Sequence, residues 1–340
     1  MTQPPVPPAA GPPWPNNSAP LPPTRPPRPK RTPWIILGGA LVVVIALVVG
    51  IVLWKSGSSG NAGDSSNIAG GGGDRTVGLL REEDPVCADW LVASNDLTAG
   101  LEQWNEVDRT TPGDRWNSEQ RRIFQGAGDS MSKAVNAFEQ IRPNARSLLL
   151  QELISQAVIY FRAYVDSLPT YTAEDRYSAN AAVNFANAVT YLCSAVSLVQ
   201  KIEFQGAVRV SSIAPPAIQV NAIPESPEPC ADFMALLDLQ NTVLRGWSET
   251  DSARPATQWT PQEKALNNAA RAVLLKDSEQ FRRLADKYSG SVFADLVFTQ
   301  AAYMRAYADA IPTYVPDDNW LWKVSTGLGG GLGAACKASR

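Results

Sequence analysis

The second half of the chain repeats the first half, and this repetition constrains the fold more than any other feature. Residues 87–193 align with residues 230–336 without a gap, and 23 of the 107 aligned positions are identical. Unrelated sequences of average composition would share about 7. Such internal similarity indicates that one structural unit occurs twice in succession. We therefore predict a tandem duplication within one chain.

The four cysteines take matching places in the two copies. Cys87 and Cys193 are 106 residues apart, and Cys230 and Cys336 are also 106 residues apart. Four cysteines allow three pairings, and the repeated spacing favours one disulfide in each copy, Cys87 with Cys193 and Cys230 with Cys336. Pairing between the copies is the alternative. In the chain-entropy model, a disulfide that closes about 100 residues stabilises a protein by about 4.7 kcal/mol.

Within each copy, apolar residues recur at spacings of three and four, which is typical of amphipathic helices. The first copy should contain four helices, near residues 87–107, 117–141, 145–168 and 173–201. In the second copy, Thr260 and Glu263 have the spacing of a capping box, with Pro261 at the first helical position. The pattern therefore predicts an all-α protein.

Four consecutive helices whose first and last members share a disulfide suit an up-down-up-down bundle. We predict two tandem four-helix-bundle-like repeats, at residues 85–202 and 229–340. The residues between them, 203–228, are rich in proline and should form an extended connector.

A long run without charge precedes the repeats. No charged residue lies between Arg31 and Lys55, and Trp34 and Trp54 bound the run. Its length allows a helix to cross a hydrocarbon layer of about 30 Å. A buried core helix and a cleaved signal peptide are alternatives, although signal peptides usually have shorter apolar regions. We predict a single transmembrane helix at residues 34–54.

The charges around this run give its orientation. Arg25, Arg28, Lys30 and Arg31 precede it, whereas only Lys55 follows it closely. Positive residues favour the cytoplasmic side. All four cysteines follow the run, on the side where an oxidising compartment would allow disulfides. We therefore expect a single-pass protein of the plasma membrane, with a cytoplasmic N-terminus and extracytoplasmic repeats.

Two segments of low complexity flank the predicted membrane helix. Residues 1–33 contain 14 prolines and should sample polyproline II. This basic tail should be attracted to the anionic lipid bilayer, or it docks on a cytoplasmic partner. Residues 55–84 begin with a Gly/Ser-rich stretch and should form a flexible linker. The outer part has no block of basic residues, so nucleic acid is not an expected partner.

The composition excludes several kinds of catalysis. The chain contains no histidine, which rules out Ser-His-Asp and Cys-His mechanisms and zinc sites that need histidine. Paired cysteines would remove thiolate chemistry as well. The glycine runs lack the Lys-Ser/Thr of a phosphate-binding loop. We therefore expect no enzyme activity, no cofactor, no metal and no catalytic residue.

Recurring carboxylates are the exception to this argument. Glu106 and Asp108 recur as Glu249 and Asp251 in a W-x-E-x-D pattern. Paired carboxylates beside an indole could hydrolyse a glycoside, so a carboxylate-dependent cell-wall hydrolase is one alternative. Positions two apart do not share a helix face, and the structural interpretation has the acids capping a turn.

A second recurring pattern is Y-x-R-A-Y-x-D, which leads into P-T-Y. Its arginine and its aspartate are four residues apart, so they could pair on one helix face and contact a ligand or partner with the neighbouring tyrosine. The structural interpretation is a clamp with tyrosines lining a bundle. The candidate contact residues are Arg162, Tyr164, Asp166, Arg305, Tyr307 and Asp309.

The overall plan resembles a known group of proteins. The Pro-rich basic tail, the single apolar run, the Gly-rich linker and the preference for arginine over lysine are similar to those of uncharacterised proline-rich membrane proteins of mycobacteria and related actinobacteria. The resemblance covers architecture and the first 75 residues. It implies a location in a complex bacterial envelope and no site residue.

These observations favour a binding or scaffold protein of the cell envelope that is anchored in the membrane and has an envelope protein as its partner. A transmembrane sensor for an envelope ligand is the first alternative, and the cell-wall hydrolase is the second. A scaffold predicts an exposed apolar patch on a bundle. A sensor predicts a ligand cavity, and a hydrolase predicts a cleft with two carboxylates about 5 to 10 Å apart.

Overall fold

A computed structural model of the chain describes residues 74–203, 206–213, 222–224, 226–248 and 250–339. The predicted tail, the membrane helix and the predicted linker up to residue 73 lie outside the described residues, as does Glu249. The folded residues belong to one compact unit that extends to the C-terminus.

The described part of the chain is mostly helical, as the apolar spacing predicts. The first half contains α1 (Val86–Gly100), α2 (Glu102–Glu106), α3 (Ser118–Ile141), α4 (Leu148–Ser167) and α5 (Arg176–Val199). The second half contains α6 (Glu228–Leu244), α7 (Pro261–Lys287), α8 (Val292–Ala310) and α9 (Asn319–Ala338). Two short antiparallel strands complete the fold, β1 (Thr76–Gly78) and β2 (Val208–Val210).

The second long helix of each half, α3 or α7, begins at a capping box. The Asn117 side chain accepts from the backbone N–H of Gln120, whose own side chain accepts from the N–H of Asn117, at 2.8 and 3.1 Å. Thr260 and Glu263 make the same exchange at the start of α7, at 3.2 and 2.7 Å. Each box satisfies backbone donors that a helix start leaves without partners. Different residues therefore fix equivalent helix starts.

Each half is closed by its own disulfide. Cys87 bonds to Cys193 with 5.7 Å between Cα atoms, and Cys230 bonds to Cys336 with 5.4 Å. Both bonds tie the first long helix of a half to the last, which is the pairing that the repeated spacing predicts. No free cysteine occurs among the described residues.

The two halves share a core in which α5 packs along α9. Glycines of α9 allow the close approach. A Cβ added at Gly331 would lie 2.6 Å from the ring of Phe185, and one added at Gly330 would lie 2.7 Å from the Asn184 side chain. Because real Cβ atoms do not come so close, the glycine run of α9 is a packing surface between helices.

The segment before each half's first long helix lies on the opposite half. Leu80 donates its backbone N–H to the Tyr303 hydroxyl of α8 at 3.1 Å. Tyr160 of α4 donates its hydroxyl to the carbonyl of Ile223. Leu80 and Ile223 are equivalent positions of the repeat, each seven residues before the first cysteine of its half. This reciprocal exchange interlocks the halves and explains why the first tyrosine of the Y-x-R-A-Y-x-D pattern recurs.

The predicted linker ends earlier than its composition suggests. Val77 of β1 is buried, and Leu79 donates its N–H to the carbonyl of Ala207 at 3.0 Å. Gly78 has a φ of 109°, and a Cβ there would lie 2.3 Å from the Ala207 oxygen, so only glycine fits. Apolar residues after the glycine run therefore join the fold, so residues 74–84 of the predicted linker belong to the folded part of the chain.

One helix among the described residues, Ala173–Val199, is long and apolar enough to cross a membrane by length and composition alone. It includes α5, whose apolar residues pack against α4 and α9 and which carries Cys193. Burial in the core accounts for that composition, so this helix is weak evidence for a membrane span.

Candidate functional site

The repeated tryptophans and tyrosines form an aromatic corner in the first half. The Trp104 indole N–H donates to the Tyr164 hydroxyl at 2.8 Å, and both side chains are buried. Tyr171, of the P-T-Y pattern, donates its hydroxyl to the carbonyl of Arg109 at 2.6 Å. Its own carbonyl accepts from the N–H of Gly113 at 2.9 Å. These bonds fasten the loop before α3 to the turn after α4.

The second half contains a corresponding corner. Tyr314 donates its hydroxyl to the carbonyl of Ser252 at 2.6 Å, as Tyr171 does to Arg109. The Trp247 indole N–H donates to Asn267 at 2.9 Å instead of to a tyrosine. Tyr307 contacts both Trp247 and Trp322, at 5.9 and 5.6 Å between ring centroids, and the two indoles also contact each other at 5.3 Å. Tyr164 and Tyr307 are buried in these corners. The corners therefore belong to the packed core of each half.

The charged residues of the same pattern lie on the surface and pair differently in the two halves. Arg162 pairs with Glu139 of α3 at 2.5 Å, so the expected pairing with Asp166 is corrected. The reason is that α3 brings a carboxylate closer than the next helical turn does. Arg305 pairs with Asp309 at 2.8 Å, as the spacing predicts. These residues do not form one site with the buried tyrosines, and a ligand contact there stays a prediction.

The carboxylates of the first copy, Glu106 and Asp108, lie at a helix end and in a hydrogen-bonded turn. Asp108 accepts from the backbone N–H and hydroxyl of Thr110 at 2.9 and 2.7 Å, and from the Thr111 hydroxyl at 2.9 Å. The Thr110 bonds are the largest cause that lowers the pKa of Asp108. Glu106 is exposed at the end of α2. Asp108 is therefore held as an anion in a turn, which suits a cap better than a proton donor.

A half-open cleft of about 200 Å³ lies between α6, α8 and α9. We call it the amide cleft. Its floor contains the buried side chains of Gln240, Gln300 and Ser325. Its remaining lining consists of Leu237, Asn241, Leu244, Ser248, Trp322, Thr326, Gly329 and Gly330. No charged side chain belongs to this lining.

Gln300 is the unusual member of the amide cleft. Its side chain is 1% exposed, and its carbonyl oxygen has no hydrogen-bond partner among the described residues. The amide end lies beside Gly329, where an added Cβ would be 3.0 Å from the nitrogen. Gln240, by contrast, donates its amide to Asp277 at 3.3 Å. A buried acceptor without a partner costs about 1–3 kcal/mol, so Gln300 is a destabilising residue that the cleft retains.

The first half has no counterpart of this polar floor. The residues equivalent to Gln240, Gln300 and Ser325 are Leu97, Ala157 and Ala182, and all three are buried. Ala179 replaces Trp322, and Ala186 replaces Gly329. Patterns shared by the copies could not reveal the cleft, because its lining residues differ between the copies, except for Leu244, which matches Leu101. A position-by-position comparison of the two copies identifies these residues, because it shows where the second copy differs from the first.

An apolar stripe runs along α6 on the helix face next to the one that lines the amide cleft. Leu239 and Val243 are each 54% exposed and lie one turn apart. Leu236, which is partly buried against the core, precedes them by one turn. In the first half, the positions of Leu239 and Val243 hold Asp96 and Gly100. We call Leu236, Leu239 and Val243 the α6 stripe. Contiguous exposed apolar residues are typical of interaction surfaces.

Two acidic residues face the junction of the halves from equivalent positions. Asp295 of α8 accepts from Arg209 at 3.0 Å and from Ser211 at 2.5 Å. Glu152 of α4 is fully buried, and neither of its oxygens has a hydrogen-bond partner among the described residues. Burial, and secondly the charge of Asp295, raise the pKa of Glu152 well above its ordinary value. The structure therefore favours the neutral, protonated form of Glu152 over the carboxylate.

Metal and cofactor sites have little support in the described ranges. No group of three or more Cys, Asp or Glu side chains there could hold a metal ion. The amide cleft offers amide and hydroxyl groups, which can bind a neutral molecule by hydrogen bonds.

Comparison with known proteins gives a family. The sequence profile of the family described as Mycobacterial ESX-1 associated protein matches residues 68–340, which is well over half of the chain. An uncharacterised protein of Mycolicibacterium smegmatis (strain MKD8) is 27% identical over 345 residues, covering 94% of this chain and 90% of the relative. No solved structure matches significantly. The chain therefore belongs to the Mycobacterial ESX-1 associated protein family.

Proposed function

We propose that this protein is a non-enzymatic binding or scaffold protein of the mycobacterial envelope, and that its partner is a protein of the ESX-1 secretion system. The family description supports the link with that system. The α6 stripe is the observation that carries the binding role, because Leu239 and Val243 expose apolar surface where the equivalent positions of the first half hold Asp96 and Gly100.

The membrane topology belongs to the same proposal. The uncharged run at residues 34–54 would anchor the chain, with the basic tail in the cytoplasm against the lipid bilayer or a cytoplasmic partner. The folded unit would lie outside the plasma membrane. Its two disulfides favour an oxidising compartment. This places the α6 stripe where envelope proteins can reach it.

Binding suits the geometry better than catalysis does. The amide cleft presents amide, hydroxyl and indole groups, and none of these is paired with a base that would activate a nucleophile. Asp108 is held as an anion in a turn. A transmembrane sensor is the second candidate, because the amide cleft is a cavity within the second half. The composition of residues 55–73 opposes the sensor, since a Gly/Ser-rich segment is expected to transmit little strain.

A photo-crosslinking residue at Leu239 tests the proposal in intact mycobacterial cells. We expect adducts with a small set of envelope proteins that include a component of the secretion system. The matched control is the same residue at Asp96, the exposed equivalent position of α1. Adducts of equal pattern at both positions, or none at Leu239 in repeated trials, would contradict the proposal.

A second experiment asks whether the stripe itself makes the contact. The double substitution Leu239→Glu and Val243→Glu should abolish co-purification of the crosslinked partner. The melting temperature should change little, because both side chains are exposed. Unchanged co-purification would refute the stripe as the binding surface.

A further inference from the structure

We propose that the amide cleft binds the ring of a neutral sugar, presented at the end of an envelope glycan. This ligand goes beyond the protein partner proposed above and uses a different face of α6. The proposal starts from Gln300, whose buried carbonyl oxygen has no partner among the described residues. Such a group is stabilised when a ligand supplies a donor.

Two hydroxyl groups of the cleft can also accept hydrogen bonds from a ligand. Ser248 donates its hydroxyl hydrogen to the carbonyl of Arg245 at 2.7 Å. Thr326 donates its own to the carbonyl of Trp322 at 3.1 Å. Both hydroxyl oxygens keep lone pairs that can accept. The cleft thus presents several acceptors, which suits a molecule with several hydroxyl groups.

The charge and the size of the amide cleft further restrict the class of ligand that it can bind. No carboxylate lines the cleft to pair with an ammonium group, and no cation lines it to pair with an acid. At about 200 Å³ the cleft is smaller than the roughly 300–1,000 Å³ of pockets for drug-sized ligands. Trp322 supplies an indole wall for the apolar face of a ring. One uncharged ring rich in hydroxyl groups fits these conditions.

A protein side chain fits them less well. An inserted apolar side chain would leave the Gln300 carbonyl without a donor, and a single Asn or Gln side chain would supply only one amide. A sugar ring offers several hydroxyl groups on different edges. The chemistry of the lining therefore favours a glycan over a peptide.

The contrast with the first half supports a binding role for these residues. Ala157 occupies the position of Gln300 in an otherwise corresponding fold, so the fold does not require an amide there. Gly329 keeps space beside the amide, whereas Ala186 takes the equivalent place in α5. A polar group that costs stability and that the sister copy lacks is expected where a ligand needs it.

Saturation-transfer NMR on the full-length protein in phosphatidylcholine nanodiscs tests the proposal. The probes are the methyl glycosides of glucose, mannose, galactose and arabinose. We expect saturation transfer to at least one glycoside and none with empty nanodiscs. Gln300→Leu should weaken its binding at least about tenfold, which corresponds to about 1.4 kcal/mol. Asn105→Ala, at the first-half equivalent of Ser248, should leave binding unchanged.

Stability separates a ligand-binding role from a structural one. Gln300→Leu removes a buried acceptor without a partner, so the melting temperature should stay the same or rise while glycoside binding is lost. If that variant does not fold, Gly329→Val, which fills the cleft beside the amide, decides the question by the same measurement. No saturation transfer to any of the four glycosides, or equal binding by the variants, would overturn the proposal and leave the α6 stripe experiment unaffected.

Discussion

The same place in the two halves is a closed apolar core in one and a polar cleft in the other. Leu97 and Ala157 fill it in the first half, whereas Gln240 and Gln300 line the amide cleft in the second. The disulfides and the capping boxes occur in both halves. The first half therefore uses these positions for core packing, whereas the second half has polar groups there that core packing does not require.

The residues that the copies share teach the complementary lesson. Tyr160 and Tyr303 hold the exchanged segments, and Tyr171 and Tyr314 hold the loops before the long helices. Identity between the copies therefore marks the scaffold. The candidate binding surfaces, the amide cleft and the α6 stripe, consist of residues that differ between the copies, apart from Leu244 of the cleft, which matches Leu101.

The largest expected effect concerns whether the halves are stable separately. Replacing Cys230 and Cys336 with serine should cost about 2–5 kcal/mol of unfolding free energy. Because the exchanged segments interlock the halves, removing this disulfide should lower the urea midpoint of a single unfolding transition that both halves share. Replacing Cys87 and Cys193 should do the same. Two separate transitions, with only the altered half shifted, would break this view of a shared core.

The next effect concerns the glycines that bring the halves together. Gly331→Ala places a Cβ 2.6 Å from the Phe185 ring and should destabilise the protein by about 1–3 kcal/mol. The matched control is Gly126→Ala in α3, where an added Cβ meets nothing within 4 Å. Alanine there should stabilise the helix by about 0.5–1 kcal/mol. Urea midpoints measure both, and shifts of the same sign would contradict the packing argument.

A smaller effect concerns the equivalent acids Glu152 and Asp295. The folded state raises the pKa of Glu152, so it keeps a proton that the unfolded chain releases above about pH 4.3. Stability should therefore fall as pH rises from there to the raised pKa, by at most about 1.4 kcal/mol per pH unit. Glu152→Gln should remove this decline in urea midpoints measured between pH 5 and pH 8.

The control for that titration is Glu119→Gln. Glu119 is exposed, and its hydrogen bond with Arg122 lowers its pKa, so the substitution should leave the decline with pH in place. A wild-type midpoint that does not fall between pH 5 and pH 8 would show that Glu152 finds a partner for its charge.

The smallest effect concerns the surface pairs, which differ between the halves. A double-mutant cycle on Arg162 and Glu139 should give a coupling of about 0.2–1 kcal/mol, as exposed ion pairs do. The cycle on Arg162 and Asp166 should give none. In the second half, the cycle on Arg305 and Asp309 should give a coupling. A measured coupling between Arg162 and Asp166 would contradict this difference and would mean that the arginine pairs with the aspartate four residues later in both halves.

Much of the scaffold followed from the sequence because it depends on local or repeated signals. The spacing of apolar residues gave the helices, and Thr260 and Glu263 gave a helix start that the structure contains. The partner of Arg162 did not follow, because Glu139 lies 23 residues away and only the packing of α3 on α4 brings it near. The sequence did not predict the amide cleft either, because no local pattern connects Gln240, Gln300 and Trp322.

The sequence by itself predicted the helical class and, through equal cysteine spacing, the disulfide pairing that the structure contains, and the internal repetition is visible in the sequence alone. These features rest on periodicity and on repetition along the chain. Only the tertiary structure decided that the segments around Leu80 and Ile223 cross to the opposite halves. Only it placed a buried amide without a partner beside Gly329. Such relations join residues far apart in the chain, and they arise when helices pack into a common core.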